Sequence, residues 1–145
     1  MYTTIKHFHS YIAAIALVFI AFAIIYSFFS WSKEKSFVKM NKISALSGLI
    51  WAHIQLLIGL VLYFLSPNGF SNFSGVAMKN SLSRLYVLEH PLTMIIAVVL
   101  ITIGYSKAKS QKEDIQKYKK IFIFYGIGLL LILSRIPWNA WGTNN

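Results

Sequence analysis

Five side chains able to titrate or carry charge, His9, His53, Glu89, His90 and Arg135, fall within or at the border of long apolar runs. An imidazole can ligate haem iron or a divalent metal, a carboxylate can hold a metal or a proton, and a guanidinium seeks carboxylates. In a bilayer such groups are expensive, at least ~2.5 to 3.5 kcal/mol each at mid-depth, which makes every one of them a functional candidate. Gln55 adds an amide able to bond across helices.

Three chemistries suit this set. In the first, two imidazoles on diagonal helices reach one b-type haem iron, His9 with His90, and His53 stands in if Pro91 lowers the ligand on the third span. Arg135 then pairs with a propionate. In the second, no cofactor is present and the polar groups fasten helices: Glu89 pairs with Arg135 at matching depth, and Gln55 makes an interhelical hydrogen bond. The third joins His9, His53, His90 and Glu89 in a divalent-metal site or proton path. Their depths spread over more than about 10 Å at 1.5 Å per residue, too far for ligands of one ion.

The elements that must position these groups are membrane helices. Of 145 residues, 57% are hydrophobic and 12% charged, too few charges to coat a soluble globule. Apolar runs predict spans at about 7–31, 43–65, 83–105 and 120–141, one transmembrane domain over residues 1–145. The fourth run is short before Arg135, so the helix is expected to continue toward Trp141, bent by Pro137. The stretch from Phe70 to Ser83 reads as an external loop. The start resembles a signal peptide, with Lys6 and Ala21-Phe22-Ala23, but apolar sequence continues through Phe29 and the run is expected to remain as an anchor.

The net charge of +10 is distributed unevenly. Lys33, Lys35, Lys39 and Lys42 lie between the first two runs, and Lys107, Lys109, Lys112, Lys117, Lys119 and Lys120 between the last two. Lys6, Lys79, Arg84 and Arg135 are scattered on the other side. That bias puts two basic loops in the cytoplasm and both termini outside, in the periplasm of a bacterial inner membrane. The loops face anionic lipid headgroups rather than nucleic acid. Absence of cysteine excludes a disulfide framework, an iron-sulfur cluster and c-type haem attachment.

Helical phase separates the faces. His9, Ala13, Ala16, Ile20, Ala23 and Ser27 form a stripe of mostly small residues, and Ser44, Gly48, Ala52, Gln55 and Gly59 form another. His53 lies about 160° from Gln55 at 100° per residue, so both faces of the second span carry a polar group, one for the bundle core and the other for a second subunit. Gly126-Ile127-Gly128 reads as a packing notch.

Met1-Tyr2-Thr3-Thr4 with His7 and His9-Ser10, Ala52-His53-Ile54-Gln55, Glu89-His90-Pro91 and Arg135-Ile136-Pro137-Trp138 resemble a group of small bacterial four-helix membrane proteins labelled cytochrome-b-like. The resemblance covers nearly the whole chain. It implies an all-α, up-and-down bundle of four transmembrane helices, a haem, and a place near electron transfer. Larger haem-bearing bundles carry paired histidines on two helices, a pattern missing here, which argues against two stacked haems. The expected role is an electron-transfer or accessory subunit, in company with other membrane subunits or itself, rather than a stand-alone enzyme.

Overall fold

The structure, a computed structural model, describes residues 1–141. All its regular elements are helical. The long helices are α1 (Tyr2–Ser32), α2 (Lys39–Leu65), α5 (His90–Ser110) and α6 (Asp114–Arg135); α3 (Gly75–Lys79) and α4 (Ser81–Arg84) are short. A π-helical turn, Leu85–Glu89, joins α4 to α5, giving one helical rod from Ser81 to Ser110. Single 3-10 turns occupy Phe70–Asn72 and Trp138–Ala140.

Three helical stretches among the described residues are long and apolar enough to cross a membrane: Tyr2–Ser32, Lys39–Leu65 and Ser81–Ser110. The fourth long helix, α6, differs because its first two turns carry Lys117, Lys119 and Lys120 and its last residue is Arg135. It also stops short of Trp141. Ile136 precedes Pro137 and is extended (φ −65°, ψ 132°), as the ring of a following proline requires, and the chain then makes only one 3-10 turn.

The four long helices pack as a ring, α1 on α2, α2 on α5, α5 on α6, and α6 on α1, which leaves α1 opposite α5. Neighbours are antiparallel. Gly48 meets Phe19 and Ile20 while Gly59 meets His9, and Gly104 meets Phe124 while Gly128 meets Ala97 and Ile101. The small-residue stripes therefore do what their spacing predicts: Ala16, Ile20, Ala23 and Ser27 of α1 are buried against Ser44, Gly48 and Ala52 of α2. Absence of a side chain lets the backbones approach, and dispersion accumulates over the seam.

Tyr125 fills the middle of the ring. It is fully buried and reaches across from α6 to donate its hydroxyl to the Ala45 carbonyl at 2.6 Å. Ile20, Ile101 and Ile121 pack around it. At the lysine-rich end, Asn41 is buried; its amide donates to Ser30 Oγ and its Oδ1 accepts from the Val38 N–H. The Tyr118 hydroxyl donates to the Ser36 carbonyl, and Asp114 Oδ2 accepts from the Phe37 N–H, so the connection between α1 and α2 is tied to α6.

That connection begins with a left-handed residue, Glu34 (φ 49°), while the N–H groups of Glu34 and Lys35 bond the carbonyls of Trp31 and Ser30. Glycine usually takes this helix-ending position, since a Cβ costs about 1 to 2 kcal/mol there. The Phe70–Ser83 stretch, expected as a loop, is largely helical turns. Ser74 Oγ accepts from the Ala77 N–H and Asn80 Oδ1 from the Ser83 N–H, each starting a turn as an N-cap.

Candidate functional site

Above Tyr125, at the end of the bundle away from the two lysine-rich connections, the ring encloses a cavity of about 230 Å³. Ile20, Ala52, Val98 and Ile132 line its inner part, while Tyr2, Lys6, Asn68 and Trp141 line it at the ends of their elements. It exists because Ala13, Ala16 and Gly59 offer so little volume. Its polar lining includes His9, His90 and Gln55.

His9 stands on α1 over Gly59, where an added Cβ would come within 3.0 Å of the ring's Cε1. Gln55 Nε2 lies 3.0 Å from His9 Nδ1 and 3.2 Å from Nε2. The Gln55 Oε1 is buried and bonded to nothing among the described residues. Turning the amide over sets that oxygen against the imidazole, where it accepts the ring N–H.

His90 opens α5 directly after the π turn. Pro91 causes the irregularity: it has no N–H for the Val87 carbonyl, and its ring crowds that oxygen. The turn widens, His90 N–H bonds Leu85, and the freed Val87 carbonyl accepts from the Tyr63 hydroxyl at 2.8 Å. His90 Nδ1 lies 2.8 Å from the Arg135 carbonyl, left open by the end of α6. A carbonyl only accepts, so Nδ1 carries the proton and Nε2 keeps its lone pair. The His9 and His90 rings, from opposite helices, have centroids 6.4 Å apart and stand at 83°.

Glu89, one residue earlier, bridges two arginines. Its Oε1 is 2.7 Å from Arg84 Nε and its Oε2 is 3.4 Å from Arg135 Nε. The expected pairing with Arg135 is present but is the longer of the two. Arg84 also donates to the Met78 carbonyl, tying α3 to the cluster. Sequence reasoning placed Arg84 among scattered external charges. Residues five apart lie about 140° apart on a regular α-helix, and only the wide turn brings Arg84 onto the face of Glu89.

Arg135 does not line the cavity; its guanidinium is held by Glu89 and by the Ser134 carbonyl. Its contribution is the main-chain oxygen that fixes His90. His53 also lies elsewhere. It is exposed on the outer side of α2, with Nδ1 bonded to the Leu49 carbonyl at 2.9 Å and Nε2 3.4 Å from Thr102 Oγ1 on α5. Among the described residues no three metal-donor side chains converge. Tyr63 and Tyr125 are structural rings bonded to carbonyls, and Tyr63 borders the cavity together with Tyr86.

Two imidazoles from opposite helices are the donor type a b-type haem takes, and both nitrogens of His9 lie against Gln55. Two imidazoles on opposite sides of one metal ion, each about 2 Å from it, have ring centres about 6 Å apart. A ligating histidine normally donates its second nitrogen to a carbonyl, the bond His90 makes to Arg135. The volume is smaller than the about 300 to 1,000 Å³ of sites that enclose drug-sized ligands. A macrocycle held there would have to extend into the opening between the helix ends. No protein-family model, curated protein or solved structure matches this chain.

Proposed function

We propose that this chain is a four-span protein of a bacterial inner membrane that holds one b-type haem between His9 and His90 near the external face, as a small electron-transfer subunit. In this reading α6 completes the fourth crossing, the lysine-rich ends face the cytoplasm, and both termini face the periplasm. The observation that carries it is the His9–His90 centroid separation of 6.4 Å across a cavity between opposite helices.

Haem, when bound, supplies one-electron chemistry. The chain's own groups hold and tune it. His90 presents Nε2 because Arg135 fixes its tautomer, Gln55 orients His9, and the apolar inner lining excludes water. Lys6 and Tyr2 line the outer part of the cavity, where propionates need cations and hydroxyls.

One observation favours a cofactor-free accessory subunit instead. His9, His90 and Glu89 all find protein partners, as groups that only fasten helices would.

The absorption spectrum of protein purified from cells with ample haem supply decides between them. The haem reading expects a coloured preparation whose spectrum changes on reduction, and loss of that colour in both His9→Ala and His90→Ala. His53→Ala retains it. A colourless protein, or one whose colour survives in both variants, refutes the haem reading and leaves the accessory role.

A further inference from the structure

At the lysine-rich end a second cavity, of about 200 Å³, opens between α2, α5 and α6. Three lysines reach it from three different helices: Lys42 in the first turn of α2, Lys109 in the last turn of α5 and Lys117 in the first turn of α6. Phe37, Ala108 and Ile121 supply apolar lining, and Tyr105 adds a phenol.

The charges are not equivalent. Lys117 is neutralised by Asp114, its Nζ 2.7 Å from Oδ1, and lies over the Phe37 ring at 5.3 Å. Lys42 and Lys109 are exposed and form no ion pair among the described residues. Two like charges are thus drawn to one concavity without an acid to balance them. Such an arrangement repels itself unless an anion enters.

We infer that this cavity is a binding site for the phosphodiester headgroup of an anionic phospholipid in the inner leaflet. Its level favours a lipid over a soluble anion. Lys42 and Lys109 mark the ends of apolar membrane-length helices, where headgroups lie, and α2 and α5 expose apolar Ile43 and Ile103 to acyl chains. Basic pockets between membrane helices on the cytoplasmic side have this character. The inference rests on the proposed orientation of the chain, and haem at the opposite end is not needed for it.

The test is thermal unfolding of the purified full chain in neutral detergent at low salt, followed by tryptophan fluorescence. Phosphatidylglycerol, phosphatidylcholine with the same acyl chains, or inorganic phosphate is added. Binding to the folded state raises the melting temperature in proportion to occupancy. Phosphatidylglycerol is expected to protect and the other two are not.

Lys42→Gln with Lys109→Gln should weaken the apparent affinity about thirtyfold, from about 1 kcal/mol per lysine near an anionic surface. Removal of the same charge outside the cavity, by Lys33→Gln with Lys112→Gln, should change it less than about threefold. Should the first pair fail to fold, Lys109→Gln alone, expected about fivefold weaker, serves in its place. Equal protection by phosphatidylcholine or by phosphate overturns the assignment, as does an equal loss in the two lysine pairs.

Discussion

Glu89 meets its two guanidinium partners at unequal distances, 2.7 Å to Arg84 and 3.4 Å to Arg135. All three side chains are between 29% and 48% exposed, so solvent screens the attraction and each pair is a weak surface bridge. The shorter contact should dominate. Double-mutant cycles on thermal stability in detergent are expected to give a larger coupling for Arg84→Ala with Glu89→Ala than for Arg135→Ala with Glu89→Ala. The reverse order would show that Arg135 is the true partner and that the wide turn does not set the geometry. Gln55 and Arg135 illustrate a second lesson at this scale. Their value to the site lies in orienting imidazoles, and for Arg135 it is the main chain that acts, a role that side-chain chemistry does not advertise.

The helices succeed or fail at their seams. Between α5 and α6, a Cβ on Gly104 would overlap the Phe124 side chain, whereas one on Gly126 would meet nothing within 4 Å. Two glycines in comparable helical settings should therefore answer oppositely to alanine. Gly104→Ala is expected to destabilise by about 1 to 3 kcal/mol through overpacking. Gly126→Ala is expected to stabilise by about 0.5 to 1 kcal/mol by restricting the unfolded chain. Melting temperatures of the two variants in the same detergent check both signs. The stripes on α1 and α2 were legible in the sequence because small residues recur at helical spacing, and their burial follows that phase. In the Gly126-Ile127-Gly128 notch only Gly128 packs closely, against Ala97 and Ile101, a distinction that spacing cannot make. Arg84 stayed hidden for a related reason: periodicity assumes 100° per residue, and Pro91 breaks that assumption. The end of α6 at Arg135 follows from the residue before Pro137, a rule that outweighs the need for length.

For the molecule as a whole, hydropathy identifies membrane-length helices, and charge separates the ends: His9 and His90 lie at one, Lys42, Lys109 and Lys117 at the other. A chain without cysteine makes the orientation directly measurable. Single substitutions Lys79→Cys and Lys112→Cys place a thiol at each end on exposed positions. In intact spheroplasts a membrane-impermeant maleimide should label the first and spare the second until the membrane is opened. Labelling of both in intact cells, or of Lys112→Cys alone, contradicts the proposed topology. Why the cavity forms at the histidine end is a matter of volume: Tyr125, Ile20, Ile101 and Ile121 fill the middle, while alanines and a glycine face each other further out.

The wide turn at Leu85–Glu89 holds one residue more than a regular helix needs for the same bonds. It acts as a spare stitch that keeps two azimuths in step. Dropping a single residue from it would restore an even winding in which Arg84 and Glu89 stand four apart, about 40° from one another, so that both segments keep their facing. A single codon can therefore enter or leave the rod at this point without parting the imidazole's aim from the arginine's grip.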